Sequence, residues 1–533
     1  MKIKSFFESM LNKNYCENII LPTFVLGAVT GSATAVVIVL YKYLASKAIW
    51  VSDKFYQHFN KLDWFLPAIF LSIFGFAVLF AKVYEKYPNV KGGGIPTSIG
   101  VLRGLYGFKW VSNLIGSFFL SLICFLIGVP LGSEGPSVQM GTALGKGAVS
   151  IFAKKRSAWD RYVMTGGACS GFSSATGASL SGVVFAIEEA HGRISPMIIM
   201  VSVISVMFSR LVSEILSPIF SVSVSLFPDI EYAPLTNGKL WLPLVIGIAL
   251  GLFAVLFLKF YGLLASLYNK IPKKIPTYLI IFAIFMLTVM FGKFSPSFVS
   301  TGHELVVGLF RKNPALIALC VLLIFRTILT LVANISGLTG GIFLPILALG
   351  AVLAGAFGEI FFMVGFSQEN YSLILSLGMV GCIAGMMKMP LTAILFGIEA
   401  LGLGSNVLFV LVCSISAYLI TELFKVKSIS DYVLEHRISD QNKGKISKTV
   451  EQSFVIEENS FAEEKEIRDI FWPNSLMVLS VKKADAESES HALEAGDTIT
   501  VRYTTFDEEK TVKEINAIIC KHINEKAPNW RDL

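Results

Sequence analysis

Long apolar runs separated by short polar turns fill the chain as far as about Lys425. Such runs begin at Leu21, Trp64, Trp241 and Ala315, and each is long enough to cross a bilayer, which takes about 20 helical residues. Because the runs are numerous and widely spread, a cleaved signal peptide does not account for them. The pattern predicts a polytopic, all-α membrane domain.

The pattern changes after Lys425, where a polar stretch leads into a segment typical of a small soluble domain. Strands are predicted at SFVIEE, SLMVLSVKKA and EAGDTITVRY, and amphipathic helices at AEEKEIRDIF and EEKTVKEINAIICKHI. We therefore predict a cytoplasmic N-terminal segment at residues 1–17, a membrane transport domain at 18–437, a linker at 438–449 and a small α+β cytoplasmic domain at 450–533.

Composition agrees with this division. The 533-residue chain is 54% hydrophobic and only 16% charged, whereas a soluble domain usually has about 25% charged residues. The net charge of +7 and the lysines before the first run favour a cytoplasmic N-terminus. No pattern predicts nucleic-acid binding, a metal site, a disulfide framework or a cofactor. Five cysteines lie in apolar runs and are expected in the core: Cys124, Cys169, Cys320, Cys382 and Cys413.

Three apolar segments share one order of residues: glycines, then a proline, then an apolar helix. They are GGGIP from Gly92, GSEGP from Gly132 and GGIFLP from Gly340. Glycine permits close backbone approach and proline suits the first helical turn, so each segment predicts a helix start within the membrane domain. Three converging helix starts would bind an anion through free N–H groups and helix dipoles, without a basic side chain.

Two pairs of segments indicate an internal repeat. GASLSGVVFAIEE from Gly177 aligns with KMPLTAILFGIEA from Lys388, and GSEGPSVQMG aligns with GGIFLPILALG at nearly the same offset. The second pair matches Pro136 with Pro345. The membrane domain is therefore predicted to contain two homologous halves, with the transport site at their interface.

Glu134 lies at the start of one broken helix, where a carboxylate within the membrane is costly and usually functional. Ionised, it can occupy an anion position at the positive end of the helix; protonated, it is neutral and would swing away. We predict that Glu134 is both a gate and a proton carrier. The alternative is a structural carboxylate that caps its own helix.

Glu188 and Glu189 are adjacent and therefore point about 100° apart on a helix, so at most one faces a given pathway. The repeat separates them, because Glu188 aligns with Glu399 whereas Glu189 aligns with Ala400. We predict that Glu189 relays protons and that Glu188 is structural. His191, in the next polar loop, is predicted to be a surface residue.

From about Ile19 to His436 these motifs resemble the CLC family of chloride channels and proton-coupled chloride exchangers. GGGIP is similar to the family's GSGIP, GSEGP to G(K/R)EGP, GGIFLP to GGIFxP, and MPLTAILFGIEA to a PLTxIxxxxE segment. The resemblance implies a homodimer with one pore per subunit and two inverted halves of tilted, broken helices. It also implies that Glu134 is the gating glutamate and Glu189 the internal proton glutamate. The implied anion-binding positions are Gly93, Gly94, Ile95, Gly135, Ile342 and Phe343.

Three departures from the family pattern bear on transport. Gly93 replaces a serine, which removes a hydroxyl donor and leaves only backbone groups. The preference between chloride and other anions is therefore left open. Ser133 replaces a basic residue, which predicts a less positive outer mouth. Ser430 falls on the pore tyrosine of the family, and Tyr432 lies two residues on, the wrong face of a helix. We therefore expect an inner gate that is looser or differently built.

The tail after about Val450 resembles the TrkA-C (RCK-C) domain of potassium-uptake regulators, because EAGDTITVRY is similar to an LxxGDxLxV strand. This resemblance implies a dimerising regulatory domain that senses a small-molecule ligand. The alternative is a folded tail that aids assembly.

The sequence thus predicts a proton-coupled chloride or anion antiporter, not an enzyme, in a multi-pass plasma membrane location with both termini cytoplasmic. Its alternatives are a passive anion channel of the same fold, which Glu189 disfavours, and an exchanger that prefers nitrate or fluoride. An intramembrane protease using Ser179 with His191 or His303 is disfavoured, because Ser179 aligns with Pro390 and so indicates a backbone role.

Overall fold

The computed structural model describes residues 20–59, 66–107, 109–153, 157–191, 195–227, 230, 232, 239–272, 274–363, 365, 367–441, 447–458, 460–473, 476–485 and 491–520. The predicted N-terminal segment 1–17 lies outside the described residues.

Helices make up the membrane domain, and a small sheet follows them. The helices are α1 (Leu21–Gln57), α2 (Leu66–Lys86), α3 (Ile95–Leu102), α4 (Trp110–Ile127), α5 (Glu134–Phe152), α6 (Asp160–Thr176), α7 (Ser179–Phe185), α8 (Pro196–Phe220), α9 (Trp241–Asn269), α10 (Thr277–Phe294), α11 (His303–Arg311), α12 (Leu316–Ile335), α13 (Phe343–Met363), α14 (Tyr371–Cys382), α15 (Pro390–Glu399), α16 (Val407–Leu423) and α17 (Ile429–Gln441). Two π-helical segments, Ala186–His191 and Ile383–Met387, follow α7 and α14. The C-terminal domain contains β1 (Lys448–Val455), β2 (Leu476–Lys482), β3 (Thr498–Thr505) and α18 (Glu508–Ile519).

Ten helices among the described residues are long and apolar enough to cross a membrane, as the apolar runs predict. The outward face of α12 illustrates the surface they present, because Ile317, Cys320, Val321 and Ile324 recur at helical spacing and are all exposed. An apolar stripe of this kind suits lipid. The prediction that all five membrane-domain cysteines lie in the core is therefore wrong for Cys320, because its helix face turns outward.

The two halves of the membrane domain build the same helix crossing twice. A β-carbon on Gly141 would lie 2.0 Å from the carbonyl oxygen of Gly167, where α5 crosses α6. A β-carbon on Gly350 would lie 2.3 Å from the carbonyl oxygen of Gly378, where α13 crosses α14. Only glycine allows such backbone contact. The two halves of the membrane domain thus repeat one helix crossing, as the predicted repeat requires.

The C-terminal domain is an antiparallel three-stranded sheet, in the order β1-β3-β2, with α18 packed against it. The central strand β3 buries Ile499, Val501 and Tyr503 on one face, and α18 buries Ile515 and Ile519. The predicted strands in this region and the helix beginning near Glu508 are confirmed.

The helix predicted at AEEKEIRDIF is wrong, since the structure has only one 3₁₀ turn there, at Ile467–Asp469. Glu464 has a φ of 62°, which interrupts a right-handed helix, and Pro473 disfavours helical backbone in the residue before it. The segment instead buries Phe471 and Trp472 against the membrane domain.

Candidate anion and proton sites

The starts of α3, α5 and α13 meet, so the structure brings together the three glycine–proline segments. Gly132 and Gly341 exchange two backbone hydrogen bonds, of 2.6 and 2.8 Å, and so form a short antiparallel bridge between the halves. The N–H group of Gly92 donates to the Gly337 carbonyl oxygen at 2.8 Å. Backbone hydrogen bonds therefore join the start of α3 to the loop before α13.

Glycine is required where these starts touch. A β-carbon on Gly94, whose φ is 78°, would lie 2.1 Å from the Gly135 carbonyl oxygen. A β-carbon on Gly135 would lie 2.0 Å from the Gly93 carbonyl oxygen. Any side chain at either position would therefore push the helix starts apart.

The N–H groups at these starts differ in their partners. Among the described residues, no backbone hydrogen bond is found from the N–H groups of Gly135, Ile342 or Phe343. The N–H group of Ile95 donates to the Gly93 carbonyl oxygen at 2.9 Å. Free donors at helix starts, close to the positive ends of helix dipoles, form an arrangement that binds anions.

The Glu134 side chain is fully buried at the start of α5. Ser133 Oγ donates to Oε1 at 3.4 Å, and a β-carbon on Gly132 would lie 2.3 Å from Oε2 and 3.4 Å from the backbone nitrogen of Leu344 in the first turn of α13. Among the described residues, Oε2 has no hydrogen-bond partner. The carboxylate therefore lies across two helix starts, a position that suits an anion.

Glu189 lies in the π-helical segment after α7, and 7% of its surface is exposed. Ser430, from α17, is close to its carboxylate, and Oε1 has no partner among the described residues. Arg103 donates to the main-chain carbonyl oxygens of Glu189 and Ala190, at 2.8 and 2.9 Å, which holds the backbone of this segment in place. A buried carboxylate with one unpartnered oxygen is suited to taking up a proton.

Glu188 and Glu399 cap helices reciprocally between the halves. The Glu188 carboxylate accepts from the N–H groups of Leu391 and Thr392, at 2.9 and 2.8 Å, at the start of α15. The Glu399 carboxylate accepts from the N–H groups of Leu180 and Ser181, both at 3.0 Å, at the start of α7. Glu188 thus has a structural role, in agreement with the repeat, and Glu189 is left without such partners.

The Gly93 position borders a side-chain amide that the sequence analysis did not single out. A β-carbon on Gly93 would lie 3.6 Å from Asn334 Nδ2 and 3.6 Å from the Gly340 carbonyl oxygen. The Tyr261 hydroxyl donates to Asn334 Oδ1 at 3.0 Å. The expectation that only backbone groups remain at Gly93 is therefore wrong, because α12 supplies an amide there.

Tyr432 packs against α9 rather than Glu189: its ring centroid lies 5.7 Å from that of Tyr261. This placement agrees with the expectation that Tyr432 is on a different helix face from Ser430. Neither Asn334 nor Tyr261 belongs to a recognisable motif. A weak sequence signal was available for both, since each is a polar side chain within an otherwise apolar helix.

The chain matches the family described as voltage gated chloride channel over residues 73–422, well over half of its length. The chain belongs to the CLC family. Its fold is similar to that of a slow cyanobacterial Cl−/H+ antiporter, with a TM-score of 0.71 and 24% identity, covering 79% of this chain and 99% of that one.

Two other solved structures share the fold. A eukaryotic CLC transporter matches with a TM-score of 0.64 and 18% identity, over 78% of this chain and 74% of that one. A CLC-type fluoride/proton antiporter matches with a TM-score of 0.61 and 18% identity, over 75% of this chain and 95% of that one. At these identities the likeness shows the CLC fold.

In this CLC protein a cation reaches the neighbourhood of Glu134 from α1. A cavity of about 780 Å³, here called the Ser133 cavity, is lined by Ser133, Leu344, Lys42 and His303 among other residues. Lys42 Nζ donates to the carbonyl oxygens of Ser223, Val224 and Ser174, at 2.9, 3.3 and 3.4 Å. Lys42 also interacts electrostatically with Glu134. Lys42, on α1, thus supplies near Glu134 the positive charge that Ser133 does not supply.

The remaining candidates of the sequence analysis lie elsewhere in the CLC fold. His191 is half-buried rather than fully exposed: its Nε2 lies 2.8 Å from Thr165 Oγ1, and its ring centroid lies 4.5 Å from that of Phe471. The Ser179 hydroxyl lies 3.4 Å from that of Ser173, while His303 Nε2 contacts the Leu226 carbonyl oxygen. These contacts offer no support for a serine–histidine pair.

Proposed function

We propose that this CLC protein exchanges chloride, or a similar monovalent anion, for protons, and that Glu134 and Glu189 carry the proton in turn. The observation that carries the proposal is the pair of buried carboxylates, each with one oxygen unpartnered among the described residues. Buried carboxylates in a membrane domain are costly and usually functional. The similar structures described as a Cl−/H+ antiporter and a fluoride/proton antiporter add support.

The proposed mechanism begins at Glu134. While ionised, its carboxylate occupies the starts of α5 and α13 and excludes a free anion. Protonation removes its charge and so weakens its hold on the helix dipoles, which frees the N–H groups near Ile342 and Phe343 for an anion. Return of the ionised carboxylate then displaces the anion, so that anion and proton alternate at one place.

Glu189 completes the pathway on the side of the C-terminal domain. His191, two residues further along, contacts Phe471 of that domain. A proton acceptor there would serve no purpose in a passive channel, so Glu189 favours exchange over the channel alternative. Gly93 keeps an exchanger for nitrate as the second candidate, whereas GSEGP and the lack of a larger side chain at Gly93 weaken the fluoride alternative.

We further propose a homodimer in the plasma membrane, with both termini cytoplasmic and the C-terminal domain regulatory, in line with its TrkA-C resemblance. Arg161 supports regulation, because it donates to the carbonyl oxygens of Leu102, at the end of α3, and of Trp472, both at 2.8 Å. A small-molecule ligand that moved the C-terminal domain would thereby act on the helix whose start forms the anion site.

Purified protein in liposomes tests the exchange. With an outward or inward chloride gradient, we expect uphill proton movement, measured with an internal pH dye. Glu134→Gln and Glu189→Gln should each abolish proton movement while anion flux continues. Anion flux without coupled protons in the wild type would instead support the channel, and proton pumping by Glu134→Gln would contradict the assigned role.

A further inference from the structure

Asn334, near the end of α12, is a buried amide whose orientation is set by a neighbour. Only 7% of its surface is exposed, and its Oδ1 accepts from the Tyr261 hydroxyl at 3.0 Å. Because one end of the amide is held by Tyr261, the Nδ2 end points elsewhere. It lies 3.6 Å from the place where a β-carbon on Gly93 would be.

The Nδ2 group carries two N–H donors, and the hydrogen bonds of the described residues include none from it. Nδ2 is not one of the enclosed polar atoms that lack a partner, so it faces accessible space beside Gly93 and can reach a bound ion. The start of α3 and the loop leading to α13 lie nearby. The N–H groups of Ile342 and Phe343 there are also unpartnered among the described residues. An anion placed among these donors would satisfy both the helix starts and the amide.

We infer that Asn334 is the side-chain donor to the transported anion, in place of the hydroxyl that Gly93 lacks, and that Tyr261 positions it. The inference rests on the proposed anion transport. A hydrogen bond to a charged acceptor is stronger than one between neutral groups. Chloride is strongly hydrated and loses much of that hydration on entering the site, so a donor that replaces it favours chloride. Thiocyanate is weakly hydrated and gains less from the same donor.

Asn334→Leu tests this, because leucine is similar in size and has no donor. We expect chloride affinity, measured by isothermal titration calorimetry on the full-length protein in detergent, to fall about 10-fold or more, the effect of losing one charge-assisted hydrogen bond. The ratio of chloride to thiocyanate flux in liposomes should fall in parallel. Tyr261→Phe should change both quantities in the same direction but less, since the amide stays and loses only its orientation.

A second-site variant makes the test independent of folding damage. Gly93 does not have a positive φ, and a β-carbon there meets only ordinary contacts, so Gly93→Ser is sterically accepted. Gly93→Ser in the Asn334→Leu background should restore part of the chloride affinity and of the flux ratio. The matched control is Asn406→Leu, another buried asparagine, which bonds Ser405 Oγ at 3.2 Å and should leave the ratio unchanged.

The outcomes separate the two proposals. If the wild type moves no anion, the proposed function fails. If the wild type moves anions while folded Asn334→Leu and Tyr261→Phe keep its chloride affinity and flux ratio, only the role of Asn334 is overturned. That role is also overturned if Asn406→Leu shifts the ratio as much as Asn334→Leu does.

Discussion

The two halves of the membrane domain share their helix crossings and helix caps but differ in their buried carboxylates. Residues that recur in both halves build the scaffold: Gly141 and Gly350 at the helix crossings, and Glu188 and Glu399 at the helix caps. The two carboxylates proposed to carry protons, Glu134 and Glu189, have no acidic counterpart, since Glu189 aligns with Ala400. At the offset that matches Pro136 with Pro345, Glu134 aligns with Phe343.

Phe343 shows what the second half does with the same position. Its ring is fully buried and packs against Phe172 and Phe396, with ring centroids 5.2 and 5.4 Å apart, while its N–H group remains at the start of α13. Glu134 instead sends a carboxylate to that helix start. Residues that repeat in both halves thus belong to the scaffold of this fold. Glu134 and Phe343 mark a position where only one half carries a charge.

The glycine crossings should give the largest effect on stability. Gly141→Ala and Gly350→Ala each place a methyl group against a backbone carbonyl that cannot move away, so we expect a loss of about 1–3 kcal/mol or more. Thermal unfolding in detergent measures this. Gly75→Ala is the matched control, because no atom lies within 4 Å of an added β-carbon there. Equal tolerance at all three positions would contradict the symmetric scaffold.

Glu188→Gln and Glu399→Gln should have smaller and similar effects. Each variant keeps the shape but weakens charge-assisted capping of a helix in the other half, at a cost of about 1 kcal/mol. The melting temperature should fall in both, while the anion-to-proton ratio in liposomes stays that of the wild type. A selective loss of coupling in Glu188→Gln would contradict the division between structural and transporting carboxylates.

Lys42→Met should slow transport without destabilising the helix starts. Removing the cation from the Ser133 cavity lowers the local anion concentration, so we expect a several-fold drop in chloride flux that shrinks at high ionic strength. Ser133→Arg in the Lys42→Met background should recover flux. Lys47→Met, a change on the same helix outside the lining of the cavity, serves as the control. A flux loss that is independent of salt would point to packing instead.

Asp497 in the C-terminal domain should give the smallest effect, confined to acid. Burial alone would raise the pKa of this carboxyl, but hydrogen bonds from the Ala484 and Glu494 N–H groups and from Lys483 bring it below its usual value. A depressed pKa stabilises the fold above the unfolded pKa of about 3.9, and that stability is lost as the pH falls through the folded pKa.

Hydrogen exchange of the β3 amides in the full-length protein measures the effect. We expect protection to decline below about pH 4. Asp497→Asn should be less protected at neutral pH and should lose the acid dependence. An unchanged acid transition in that variant would assign the dependence to another group. Asp497 thus contrasts with Glu134 and Glu189, because both of its carboxylate oxygens have hydrogen-bond partners.

Much of the fold could be predicted from the sequence because its signals are local. The apolar runs, the glycine–proline breaks and the C-terminal strands each depend on a few neighbouring residues. The periodicity around Phe471 predicts a helix, while burial against the Arg161 region favours extended chain. Cys320 lies outside the core for a related reason, since an apolar run does not reveal which helix face meets lipid.

The sequence by itself determined the membrane class, the two halves and the unrepeated carboxylates Glu134 and Glu189, because composition, helix breakers and alignment are properties of the chain. The tertiary structure alone decided the partners. Glu188 caps a helix 203 residues away, and an amide on α12 borders the gap at Gly93. Contacts of this kind depend on how distant helices pack, and no local pattern of residues encodes them.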